Sequence, residues 1–135
     1  MLSVPNFFTI PDIVMPKSKV TFDTVCKIAR ALPGAEVSTA YGSPCIKVNG
    51  LLMACIAVNK AAEPNSLMVQ IDFDQRDAMI EEAPGTYYLK EHYAPHPSVL
   101  VRLSQISEAE LRDLLNASWR FVTSKAKRKK SSVSV

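Results

Sequence analysis

The dipeptide Asn49-Gly50 is the feature that most limits how this chain can fold. It separates two short apolar runs, 45–48 and 51–58. A two-residue hairpin turn needs positive φ angles at both central positions, and Asn followed by Gly is the pair that best tolerates them. We therefore predict an antiparallel β-hairpin in which Val48 lies opposite Leu51.

The same register, continued away from the turn, pairs Ile46 with Met53 and Pro44 with Cys55. Side chains alternate between the two faces of a strand. One face is then predicted to carry Ile46, Val48, Leu51, Met53 and Cys55, and the other Cys45, Lys47, Leu52 and Ala54. Cys45 and Cys55 therefore point to opposite faces and are not expected to form a disulfide.

Three helices are predicted around this hairpin. Apolar residues at spacings of three and four indicate an amphipathic helix over 21–32, which Pro33-Gly34 ends. A capping-box pattern at Asp72 begins a short helix that ends by Ala83. A second capping box, formed by Ser107 and Glu110, begins the last helix, which carries an apolar stripe as far as Val122.

The segments between the helices are typical of strands. They comprise the runs 36–41 and 67–71, a short strand and an ordered proline-rich loop over 86–98, and a β-branched run over 98–103. The predicted order is one helix, three or four strands, a helix, one or two strands and a helix. Segregated runs of this kind predict an α+β fold, with an antiparallel sheet that has helices packed on one face.

Charge divides the chain into parts. The formal net charge is +3, with 16 Lys and Arg against 13 Asp and Glu. Five of those cations lie within six residues, namely Lys125, Lys127, Arg128, Lys129 and Lys130. Without them 11 cations face 13 anions, so the body is mildly acidic and its tail basic. We predict an extended or disordered arm over 1–19, one domain over 20–124 and a basic flexible tail over 125–135, with Met15 as an alternative start.

The composition also indicates a compartment. Three cysteines without a C-x-x-C pair are typical of a reducing environment. No signal peptide is recognisable, and no apolar run reaches the length that a membrane span needs. The sequence therefore predicts a cytoplasmic protein, a monomer with no membrane partner.

The residues that often carry chemistry do not form a recognisable catalytic motif. His92 and His96 stand four apart, but Pro95 and Pro97 exclude the helix that would bring them together as metal ligands. Asp72 is explained by helix capping. We therefore predict a protein that is not an enzyme and that needs no metal and no cofactor. Tyr41, His92 and Tyr93 lie beside turns, where they would either line a ligand groove or pack in the core.

Several strings together carry a resemblance to a known family. They are Leu32-Pro-Gly-Ala-Glu36, Tyr41-Gly-Ser-Pro-Cys-Ile-Lys-Val48, Val69-Gln-Ile-Asp-Phe-Asp-Gln-Arg-Asp77, His92-Tyr93 and Val99-Leu-Val-Arg-Leu103. In this order, before a helix that contains a tryptophan, the strings over 20–124 resemble the MmcQ/YjbR family. The resemblance implies a CyaY-like fold, similar in shape to frataxin and to double-wing DNA-binding domains. The family has no agreed catalytic residues that the resemblance could assign to positions of this chain.

Two departures bear on function. Relatives often have a lysine where this chain has Leu51, so one cation of a phosphate-facing sheet is missing. An acidic first helix, as frataxin-like iron binding would require, is absent, because Asp23 is its one acidic residue.

Two functions remain open at this point. The first is weak, salt-sensitive DNA binding through Lys47, Arg102 and the tail cations Lys125, Lys127, Arg128, Lys129 and Lys130. The second is a module that binds a small molecule or a protein partner in a groove lined by Tyr41, His92 and Tyr93.

Overall fold

The computed structural model describes residues 20–40, 42–57 and 62–134, with side chains as far as Lys125. This part of the chain contains three helices and six strands. The order is α1 (Phe22–Ala29), β1 (Ala35–Ala40), β2 (Ser43–Val48), β3 (Leu51–Ile56), β4 (Ser66–Gln70), α2 (Phe73–Glu82), β5 (Tyr87–Tyr88), β6 (Ser98–Arg102) and α3 (Glu108–Ser134). The predicted α+β class is confirmed.

The strands form one open sheet in the order β1-β2-β3-β4-β6-β5. Each neighbouring pair is antiparallel. Consecutive strands lie side by side except β4 and β5, because β4 pairs with β6 and β5 lies beyond β6 at the edge of the sheet. None of the described helices is long and apolar enough to cross a membrane.

The hairpin turn forms as predicted. Asn49 has a φ of 51° and Gly50 a φ of 86°, and Val48 lies opposite Leu51. Beyond Lys47 and Leu52 the register shifts, so the predicted pairing of Ile46 with Met53 is wrong.

A β-bulge at Met53 causes that shift. Ile46 pairs with Ala54 instead, and Cys45 pairs with Cys55, which replaces the predicted partner Pro44. Met53 and Ala54 are consecutive and both fully buried in the same core, which strict alternation would not allow. The extra residue also brings Cys55 to the same face as Cys45, so the predicted separation of the two cysteines is wrong.

The main core lies between one face of the sheet and the helices. Fully buried strand residues there include Ile46, Val48, Leu67, Val69, Val99 and Val101. The helices contribute Val25, Ile28, Leu111, Leu114, Leu115 and Val122. The indole Nε1 of Trp119 donates to the carbonyl oxygen of Pro33 at 2.8 Å, which joins α3 to the turn after α1.

The helix ends follow the predicted caps with small differences. At α3, Ser107 N–H donates to Glu110 Oε1 at 2.9 Å and Glu110 N–H donates to Ser107 Oγ at 3.1 Å, so that capping box is confirmed. Asp72 Oδ1 accepts from the backbone of Asp74 at 3.0 Å at the start of α2. The helix α1 ends at Ala29, before the predicted Leu32. The backbone of α3 continues to Ser134, through the basic segment.

The opposite face of the sheet, here called the open face, carries a second apolar cluster. Its buried members are Cys45, Cys55, Met68, Tyr88 and Leu100, with Tyr93 packed against them. They lie side by side across five neighbouring strands. The predicted arm over 1–19, with Met15, lies outside the described residues.

Candidate ligand-binding pocket

The open face forms the floor of a cavity of about 630 Å³. Strand residues that line it include Ala40, Ser43, Leu52, Cys55, Met68 and Gln70. The opposite wall is the segment 89–97, here called the pocket loop, which contributes His92, Tyr93, His96 and Pro97. The side chain of Lys125 on α3 also lines it. A cavity of this size, mostly apolar with a few polar groups, is typical of small-molecule sites.

The pocket loop is held by its own backbone and by the sheet. Tyr93 N–H donates to the Lys90 carbonyl oxygen at 2.8 Å, and His96 N–H donates to the Tyr93 oxygen at 3.0 Å. Ile71 N–H donates to the Pro97 oxygen at 2.9 Å, just after β4 ends. These bonds make the loop a series of tight turns and explain how a proline-rich segment forms an ordered wall.

Arg76 on α2 fixes the loop from behind. Its Nη1 donates to the carbonyl oxygens of Ala94 at 3.1 Å and His96 at 3.0 Å. The side chain is 9% exposed, and its Nε donates to Asp77 Oδ1 at 3.0 Å. A guanidinium group with several donors in fixed directions suits this task better than a single ammonium group. Arg76 is therefore a positioning residue for the pocket.

Gln70 supplies a polar group on the floor. It lines the cavity at the end of β4, and its Oε1 is buried with no hydrogen-bond partner in the described part of the chain. A buried carbonyl oxygen without a partner costs free energy. A ligand with an N–H or O–H group would satisfy it.

The aromatic and imidazole groups that the sequence singled out meet here in part. The rings of His92 and Tyr93 form an edge-to-face pair with centroids 5.0 Å apart. Burial raises the pKa of Tyr93, and the nearby Cys55 and Tyr88 raise it further. Tyr93 therefore keeps its hydroxyl proton at neutral pH. Tyr41, the third predicted groove residue, lies outside the described residues.

The thiols on this face are also neutral at physiological pH. Burial raises the pKa of Cys45, although Lys47 opposes that effect. Burial likewise raises the pKa of Cys55, and the neighbouring Cys45 adds to it. A thiol whose pKa is raised is a poor nucleophile.

Arg102, which the sequence suggested as a DNA contact, is engaged within the domain. Its Nε and Nη2 donate to the two carboxylate oxygens of Glu63 at 2.9 and 2.7 Å. Its Nη1 donates to the carbonyl oxygens of Pro84 and Gly85 at 3.0 and 3.1 Å. The guanidinium carbon lies 4.3 Å from the centroid of the Tyr88 ring. All three nitrogen atoms are occupied, which argues against a role in binding phosphate.

The other cations predicted to contact DNA do not form a common patch with Arg102 in the described part of the chain. Lys47 lies on β2, and two strands separate it from β6, which carries Arg102. Three strand spacings amount to about 14 Å. Lys125 lies near the pocket, with its Nζ 5.6 Å from the Phe121 ring centroid. The side chains of Lys127, Arg128, Lys129 and Lys130 lie outside the described residues.

Sequence reasoning found His92 and Tyr93 but missed Arg76, Gln70 and the pocket position of Lys125. The carbonyl partners of Arg76 lie 18 and 20 residues away along the chain, so no local pattern indicates them. Within the described residues, no group of three or more His, Cys, Asp and Glu side chains is placed to hold a metal ion.

Comparison with known proteins gives three findings. A family model described as YjbR matches residues 30–121. Uncharacterized proteins from Mycobacterium bovis and Mycobacterium tuberculosis are 38% identical to this chain over 42 residues, which are 31% of the chain. The match spans 33% of the length of these curated relatives.

A solved structure extends the likeness to the whole domain. The crystal structure of a Deinococcus radiodurans protein, with the family-model domain DUF419, superposes with a TM-score of 0.66. The two chains are 20% identical, and the match covers 86% of this chain and 91% of that one. At this identity the likeness shows a shared fold.

Proposed function

This chain belongs to the YjbR family, and we propose that its domain binds a small organic ligand in the pocket on the open face of the sheet. The observation that carries the proposal is the cavity of about 630 Å³, with the unpartnered Oε1 of Gln70 buried at its floor. An apolar cavity with a few placed polar groups provides both affinity and orientation.

The lining indicates which ligands fit. Leu52, Cys55 and Met68 offer an apolar floor to a flat or aromatic body. Gln70 Oε1 is free to accept a hydrogen bond from a ligand, and the cationic Lys125 lies at the boundary of the cavity. We therefore expect a planar apolar molecule with a hydrogen-bond donor, and a negative group would add to its affinity.

We further propose that the pocket binds its ligand without catalysing a reaction. The Tyr93 hydroxyl and the Cys55 thiol both have a raised pKa, so neither supplies an activated nucleophile or base at neutral pH. This supports a binding module rather than an enzyme.

A fluorescent probe tests the pocket directly. The anionic aromatic dye 1-anilinonaphthalene-8-sulfonate (ANS) is expected to bind the folded protein and gain fluorescence. Substitution Ala40→Trp places a large ring into the cavity from its edge and should weaken binding by about tenfold or more, equal to 1.4 kcal/mol.

Thr39→Trp is the matched control, because Thr39 precedes Ala40 on β1 and is exposed on the opposite face. Its ANS affinity should stay close to that of the unchanged protein. Urea unfolding of all three proteins confirms that the dye reports on a folded domain. Equal affinities for Ala40→Trp and Thr39→Trp would contradict the proposed site.

We propose DNA binding as a second function, located in the basic tail. What favours it is that five cations lie within six residues along the continuing backbone of α3. The mildly acidic body then contributes little, and Arg102 is already paired with Glu63. Binding of this kind is weak and independent of base sequence.

Salt dependence tests the second proposal. A fluorescent duplex should bind with a logarithmic salt slope of about −4, as expected when four or five phosphates are neutralised. Replacing the five tail cations by glutamine should abolish most of the binding, whereas Lys47→Gln should change the slope by about one unit at most. If the protein with the neutral tail binds DNA as tightly as the unchanged protein, the tail is not the DNA-binding site.

A further inference from the structure

Three sulfur atoms belong to neighbouring residues on the open face of the sheet. Cys45 on β2 lies directly opposite Cys55 on β3, and Cys55 lies opposite Met68 on β4. Residues directly opposite in antiparallel strands have their Cβ atoms about 4.5–5.5 Å apart, on the same face. The bulge at Met53 creates this alignment, because without it Cys55 would face the other side.

The surroundings of the three residues suit a bound ion. Cys45 is fully buried, Cys55 is 9% exposed and Met68 is 8% exposed, and both cysteines are free thiols. Cys55 and Met68 line the cavity, so an ion has a way in.

We propose that Cys45, Cys55 and Met68 form a binding site for monovalent copper. Thiolate and thioether sulfur are the donors that select Cu⁺ among biological metals. Zinc is disfavoured, because it takes four Cys, His or carboxylate ligands, and no group of even three lies together in the described residues. Cys55 and Met68 also belong to the floor of the ligand cavity, but the alignment of the three sulfur residues does not depend on the organic ligand proposed above.

Copper binding at this site involves no change in oxidation state. Cu⁺ binds the two sulfurs as thiolates and releases two protons, which leaves a bound unit with one negative charge. The thioether of Met68 is neutral and completes a three-sulfur set. Because the thiols must lose their protons to bind the ion, affinity should rise with pH.

Anaerobic titration of the fully reduced protein with Cu⁺, in competition with the chromophoric chelator bathocuproine disulfonate, tests the site. We expect one Cu⁺ per chain and an ultraviolet absorption band from charge transfer between thiolate and copper. Cys45→Ala and Cys55→Ala should each lower the affinity by more than about 100-fold, since even changes outside the ligand shell cost 10–100-fold. Met68→Leu should lower it by a smaller factor.

Cys26→Ala is the matched control, because Cys26 is also a buried free cysteine but lies on α1 in the main core. Its affinity for Cu⁺ should equal that of the unchanged protein. Thermal unfolding of each apo variant establishes that it is folded. Absence of Cu⁺ binding by the folded protein, or equal losses in Cys26→Ala and Cys45→Ala, would overturn the proposal.

Discussion

Replacing Arg76 with methionine is expected to lower the free energy of unfolding by about 3 kcal/mol, because two charge-assisted hydrogen bonds are lost. Methionine keeps much of the side-chain volume but has no donor for the carbonyl oxygens of Ala94 and His96. The pocket loop then loses its support from α2. We expect the affinity for ANS to fall by about tenfold or more, equal to 1.4 kcal/mol.

Urea unfolding and ANS titration of the same protein samples measure both effects. Arg112→Met is the control, since the Arg112 side chain is 52% exposed and forms an ion pair with Glu108 on its own helix. An exposed pair of this type contributes about 0.5 kcal/mol or less. If Arg76→Met unfolds at the same urea concentration as Arg112→Met and binds ANS with the same affinity, then Arg76 does not position the pocket loop.

Replacing Arg102 with methionine is the second substitution with a large expected effect. It removes two hydrogen bonds to the carbonyl oxygens of Pro84 and Gly85 and the contact with the Tyr88 ring. The bonds to these carbonyls alone suggest a loss of about 2 kcal/mol in the free energy of unfolding. Affinity for duplex DNA should not change, because this guanidinium is occupied within the domain.

Lys47→Met is the matched control for that substitution. Lys47 was the other body residue predicted to contact DNA, and its side chain is only partly buried. Its replacement should change the free energy of unfolding by about 0.5 kcal/mol or less. A normal stability for Arg102→Met, together with a loss of DNA affinity, would restore Arg102 as a phosphate contact.

The pH dependence of Arg102→Met adds an independent check. The hydrogen bond from Arg102 holds the pKa of Glu63 below its ordinary value of 4.5. The pair is therefore fully stabilising above pH 4.5, and this contribution is lost as the pH falls through the lowered pKa of Glu63. Below pH 4.5 the difference in stability between the unchanged protein and Arg102→Met should become smaller.

Local patterns predicted most of the fold. The positive φ angles of Asn49 and Gly50 and the capping box of Ser107 and Glu110 depend on residues close in sequence, and both formed as expected. The bulge at Met53 could not be predicted from alternation. It depends on the burial of Met53 and Ala54 together against the helices, which is a property of the assembled core.

The candidate site was predictable only in part. His92 and Tyr93 were identified because aromatic groups beside turns often line grooves, and both line the cavity. Lys125 belonged to the basic tail in sequence, yet α3 brings it to the same cavity. The alignment of Cys45 with Cys55 depends on the bulge. Strict alternation without a bulge places the two cysteines on opposite faces, and this is what the sequence predicted.

We propose that the open face of the sheet, closed by the pocket loop, is a ligand site. Amide NMR spectra of the nitrogen-15-labelled protein, recorded during titration with ANS, test it most directly. We expect the shift changes to concentrate in β3, β4 and the pocket loop, with His92, Tyr93 and Gln70 among the most affected residues. Changes confined to the exposed surfaces of α2 and α3, with unmoved signals from the pocket loop, would contradict it.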